Sequence, residues 1–145
     1  MLRKIVFRGK NLYRKGWLYG NLVQYKDGSF GIDGVPVESN SVGQFTGLLD
    51  KNGKEIYEGD VIRIDSHAWL DWKELDSVNA EVIFEEYMFD ARWKNPDAGQ
   101  PIPFLPDDDP DYGPEYICEM LANLPNTIEI IGNIHDNPEL ISDKQ

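Results

Sequence analysis

The chain has little of what several common chemistries require. It holds one cysteine, Cys118, so no internal disulfide can close, and a cytoplasmic setting is expected. Its two histidines, His67 and His135, belong to no HxxxH or His-Cys pattern, so no zinc site is expected. No apolar run approaches the ~20 residues of a membrane helix, and no membrane partner is expected. The opening MLRKIVFRGKNLYRK has charges scattered through it and no apolar core, which argues against a signal peptide. The glycines sit in turn contexts and form no phosphate-binding loop. Residues 1–26 contain no Asp or Glu at all.

That last absence makes the charge distribution informative. Arg3, Lys4, Arg8, Lys10, Arg14, Lys15 and Lys26 give residues 1–26 a charge of +7, while the remainder carries −19. A basic N-terminal patch could meet an anionic partner. The same residues could equally lie on solvated strand edges, where Lys discourages edge pairing, or face the protein's own acidic half. At 145 residues, 41% hydrophobic and 28% charged, the chain reads as one soluble domain spanning 1–145.

The element pattern is mainly β. Ile5–Phe7, Trp17–Val23 and Phe30–Asp33 read as strands of an N-terminal β meander over about 1–40, with Gly34-Val35-Pro36 as a breaker. Asp27-Gly28 has the composition of a two-residue hairpin turn, because Gly accepts positive φ at little cost. Asn52-Gly53 marks a second hairpin, flanked by Leu48, Leu49, Ile56 and Tyr57. Glu58-Gly59-Asp60 then turns the chain into Val61–Ile64, a corner common in SH3-like small barrels. Ala80–Phe84 is expected to pair antiparallel with Val61–Ile64, forming a barrel-like part over about 41–141. Between them, Trp69, Trp72 and Leu75 recur every three residues, which predicts a helical turn or packed loop over 67–77. Residues 94–114 read as a long Pro- and Asp-rich surface loop. Tyr116, Ile117, Met120, Leu121 and Leu124 predict one short helix over 115–124, with Cys118 buried on its apolar side. Thr127–Ile134 is the last strand. Pro138 starts a terminal helical turn.

Several blocks resemble, in order, the YopX family of bacteriophage and prophage proteins. They are Arg3–Gly9, Gly16–Gly20, Val42–Leu48, Asp50–Asp60 and Ile130–Leu140. The resemblance implies a mostly β protein with an SH3-like barrel component, encoded by a phage or prophage. It supplies no reaction, cofactor or catalytic residue.

The residues offer few candidates for chemistry. Asp107, Asp108, Asp109 and Asp111 could present oxygen ligands to a hard cation, but the EF-hand spacing fails and Pro110 interrupts the run. A solvated acidic loop is expected, with no metal and no cofactor. Trp69 and Trp72 are candidate contacts to a protein partner or a second copy. Arg8, Lys10, Arg14, Lys15 and Trp17 are the candidate nucleic-acid-binding set, since cations beside aromatics can track a backbone and stack bases. The expectation is a non-enzymatic module that binds a protein, possibly itself, with nucleic acid as the alternative.

Overall fold

The computed structural model describes residues 4–65, 68–70, 73–74, 77–85, 87–94, 98–99, 115–124 and 128–141; at 65, 68–70 and 73–74 only the backbone path is described. The strands are β1 (Phe7–Lys10), β2 (Trp17–Gly20), β3 (Leu22–Gln24), β4 (Phe30–Ile32), β5 (Val35–Pro36), β6 (Gly43–Leu49) and β7 (Glu55–Tyr57). They continue as β8 (Asp60–Asp65), β9 (Ala68–Leu70), β10 (Lys73–Glu74), β11 (Ser77–Glu85), β12 (Met88–Lys94), β13 (Tyr116–Met120) and β14 (Glu129–Asn133). All pairings are antiparallel. Among the described residues the strands form four sheets, ordered β2-β1-β6-β7, β3-β4-β5, β13-β12-β11-β8-β14 and β10-β9. The fold is mainly β, and no closed barrel forms among the described residues: β13 and β14 stand at the two edges of the five-stranded sheet.

The core follows the period-2 alternation of the central strands. Ile62 and Ile64 of β8 lie on the same face as Ala80 and Val82 of β11, Ala91 and Trp93 of β12, and Ile117 of β13. Ile56, Leu121, Leu124 and Ile128 close over them. The register Ala80↔Ile62 is the antiparallel pairing that the two apolar strands call for.

Three local expectations change. The 115–124 segment is not a helix: Tyr116–Met120 is strand β13, and a 3-10 turn over Leu121–Asn123 follows. Ile117, Leu121 and Leu124 are the buried residues, a spacing that a helix or a strand-plus-turn satisfies equally. The strand wins because Ile117 comes opposite Trp93 on β12 and completes its face. Cys118 is consequently exposed on the outer side. Within 67–77, where a helical turn or packed loop was expected, the described stretches Ala68–Leu70 and Lys73–Glu74 pair as strands, with Leu70 opposite Lys73, and 67, 71–72 and 75–76 lie outside the described residues.

The third change concerns the turns. Asp27-Gly28 does not close a two-residue hairpin; Tyr25 accepts from the Gly28 N–H and donates to Ser29 O, so Gly28 (φ +90°) sits in a three-residue loop. The two-residue turn lies at Asp33-Gly34, both with positive φ, and it leads into β5 where a break was expected. The 3-10 turn at Pro138–Leu140 agrees with the helical turn expected there. Among the described residues, no helix is long and apolar enough to cross a membrane.

Candidate functional site

Two places concentrate polar or exposed apolar side chains. The first forms where the β1–β2 hairpin meets the Glu58-Gly59-Asp60 corner. Strand alternation turns Arg8 towards that corner, opposite Gly43; a Cβ on Gly43 would collide with the Glu58 carbonyl. Gly59 takes φ +91°, which reverses the chain and aims Asp60 back at β1. Arg8 is only 6% exposed, and its Nη2 lies 2.8 Å from Asp60 Oδ1. Asp60 Oδ2 accepts the Tyr57 N–H at 2.8 Å. Arg8 Nη2 also donates to the Glu58 carbonyl at 3.4 Å. The guanidinium lies 4.6 Å from the Trp17 ring and 5.1 Å from the Tyr57 ring, within cation–π distance of both.

A second layer of charge surrounds this pair. Asp136 accepts the Trp17 indole N–H at 2.9 Å, Lys10 Nζ at 3.0 Å and the Asn133 amide at 3.1 Å. These three donors, the indole first, hold its carboxyl down at about 2. Burial and the nearby Arg8 and Lys10 charges push His135 down, so it is neutral at pH 7. Burial pushes the Tyr57 phenol up to about 12 and keeps it protonated. Burial also pushes the Asp60 carboxyl up, against the pull of Arg8 and the Tyr57 N–H. The cluster ties the N-terminal sheet to β8 and to the turn after β14. Its charges are paired with one another, although the buried Arg8 Nε makes no hydrogen bond among the described residues.

The candidate nucleic-acid set is therefore divided. Arg8, Lys10 and Trp17 come together, but they face Asp60 and Asp136. Arg14 and Lys15 stand exposed on the hairpin tip, beside Tyr13 at 76% exposure. Trp69 belongs to β9, where only the backbone is described, while Trp72 and the Asp107–Asp111 loop lie outside the described residues. Among the described residues no three His, Cys, Asp or Glu side chains group to hold a metal ion. The Cys118 thiol is pushed up by partial desolvation and by the Glu85 and Asp90 charges, so it stays protonated at neutral pH.

The second place is the turn end of the five-stranded sheet. Phe84 and Phe89 are cross-strand partners on the core face, with ring centroids 5.0 Å apart. Phe89 packs on the core, but Phe84 is 53% exposed. Tyr87, at 97% exposure, and Met88 extend the apolar surface around the turn. Beside them lies a cleft of about 150 Å³, walled by Phe84, Val42, Ile134 and His135 and carrying Glu58 and Glu81. Sequence reading did not single out Asp60, Tyr57, Asp136, Phe84 or Tyr87. The signal for Asp60 was its position just after Gly59; for Phe84 it was an apolar run followed directly by the acidic pair Glu85-Glu86 in the sequence.

The family model for YopX protein matches residues 6–142. The crystal structure of protein yopX from Bacillus subtilis is similar over 97% of this chain and 100% of its own, with a TM-score of 0.52 and 20% identity. Protein EF1440 from Enterococcus faecalis is similar over 96% of this chain and 99% of its own, with a TM-score of 0.52 and 22% identity. At such identities the likeness is one of fold. No curated protein matches the chain. The blocks around Arg8, Trp17, Gly43, Gly59-Asp60 and Asn133–Asp136 that resembled one family in sequence converge on a single junction, and the match covers nearly the whole length: the chain belongs to the YopX protein family.

Proposed function

We propose that the chain is a non-enzymatic protein-binding module acting in the bacterial cytoplasm, encoded by a phage or prophage. The observation that carries this reading is the apolar surface of Phe84, Tyr87 and Met88, continuous with the core through Phe89, with Glu58 and Glu81 in the cleft that Phe84 lines. Exposed aromatics backed by a rigid sheet are the usual anchors of protein interfaces. The charged groups of the Arg8–Asp60 junction are engaged with each other, which favours a structural role for them over catalysis. Trp69 and Trp72 belong to the same reading as further candidate contacts, proposed from the sequence alone. A photo-crosslinking residue placed at position 87 should yield adducts of discrete mass in host cells. Absence of any adduct, together with a monomer at every concentration, would remove the reading.

One observation favours nucleic acid as a second reading: Tyr13, Arg14 and Lys15 are exposed side by side on one tip. It requires oligonucleotide binding that weakens as salt rises, with Arg14→Ala/Lys15→Ala lowering the slope by about two. Unchanged fluorescence anisotropy at low ionic strength would eliminate it.

A further inference from the structure

The hairpin tip and the acidic cleft carry complementary features on one chain. Leu12 and Tyr13 project from the tip at 50% and 76% exposure, followed by Arg14 and Lys15. The tip is built rather than loose. Asn11 Oδ1 accepts the N–H groups of Tyr13 and Arg14, Asn11 N–H donates to Gly16 O, and Leu12 N–H donates to Pro36 O. A loop held in this way loses little entropy when it docks. Its exposure also shows that it is not seated in the cleft of its own chain.

The cleft asks for such an occupant. Its volume of about 150 Å³ is below the ~300–1,000 Å³ of small-molecule pockets and suits a single side chain. Its walls are apolar at Phe84, Val42 and Ile134. Its acids repel each other: Glu58 is pushed up first by burial and also by the charge of Glu81, against a backbone hydrogen bond from Gln44 and the pull of Arg8, while Arg92 lies 3.4 Å from Glu81. An entering cation would relieve that repulsion. Arg14 and Lys15 are exposed on the tip while Glu58 and Glu81 line the cleft, so tip and cleft are complementary in charge at short range.

We propose that the cleft between Phe84 and His135 receives the Leu12–Lys15 tip of a second copy of this chain, with Tyr13 or Leu12 in the apolar space and Arg14 and Lys15 against Glu58 and Glu81. This rests on the protein-binding reading and names the partner. Tip and cleft are different surfaces, so the contact is heterologous, and copies add head to tail into a ring or an open filament.

Sedimentation velocity over a range of concentrations, at low and high NaCl, tests it. Wild type should self-associate, less so at high salt. Tyr13→Ala/Lys15→Glu destroys the tip, and Phe84→Arg places a cation in the cleft; each alone should weaken association by about tenfold or more. Mixed in equal amounts, the two variants should form a 1:1 pair and nothing larger, because only one intact tip and one intact cleft remain. Both sites are exposed, and unchanged circular dichroism and thermal midpoints verify folding; Phe84→Ala serves as the milder cleft variant if the arginine does not fold. A tip variant that assembles like wild type, or a mixture that stays monomeric, overturns the proposal. Wild type that is monomeric throughout but crosslinks another protein at position 87 overturns it too, while leaving the protein-binding reading intact.

Discussion

The base and the tip of the β1–β2 hairpin use the same ingredients for opposite ends. At the base, Arg8 lies against the rings of Trp17 and Tyr57, buried and paired with Asp60. At the tip, Arg14 and Lys15 stand in solvent next to an exposed Tyr13. Only a few residues separate Arg8 from Arg14. A cation beside an aromatic therefore says nothing by itself about ligand binding. What decides its role is whether a carboxylate from elsewhere in the chain is delivered to it.

The contrast can be broken most severely at the base. Arg8→Ala or Asp60→Ala leaves one buried charge without its partner and should cost about 3–5 kcal/mol in urea denaturation. The paired replacement Arg8→Met/Asp60→Leu should cost much less than either single change, since no charge is left stranded. Equal losses in all three variants would show that the pair's charges are not what matters there. Gly59→Ala meets no atom closer than His135 Nε2 at 3.6 Å, so its loss of about 1–2 kcal/mol should come from the left-handed backbone alone.

A subtler change sharpens the comparison through pH. The folded Asp136 carboxyl titrates at about 2, below its ordinary 3.8. Its contribution is then complete above the unfolded value and is lost as pH falls from about 4 towards 2. Because the group is partly exposed, solvent screening holds this contribution to about 1 kcal/mol or less. Asp136→Asn should lower stability at pH 7 by that amount and flatten this part of the acid limb; an unchanged limb would show that Trp17, Lys10 and Asn133 do not bind the charged form preferentially. The smallest effect belongs to the tip. Arg14→Ala/Lys15→Ala should leave stability within about 0.5 kcal/mol, while weakening whatever association the tip supports.

The difference between base and tip also explains which features were legible. The hairpin closed by Asp50–Lys54 could be read directly: Asp50 Oδ1 accepts the N–H groups of Asn52 and Lys54, a local geometry that Asp and Gly create within five residues. The β8–β11 pairing was legible because both strands alternate in the same phase. Asp50 has a second task that was not legible, since its Oδ2 accepts the Ile130 N–H from a strand 80 residues away. The helix expected at 115–124 failed for a related reason. Five apolar residues in ten fit either period, and Trp93 on β12 selects the extended form by offering Ile117 a cross-strand partner.

The sequence by itself determined the mainly β character, the turn positions at Gly53 and Gly59, the uneven charge and the family. Those features arise from contacts within a few residues or from composition, and both survive in an unfolded chain. Tertiary structure alone decided that Arg8, Lys10 and Trp17 serve the interior while Arg14 and Lys15 remain available, and that Phe84 emerges from the core face beside two carboxylates. Burial and pairing are properties of distances between remote residues, and folding is what sets those distances.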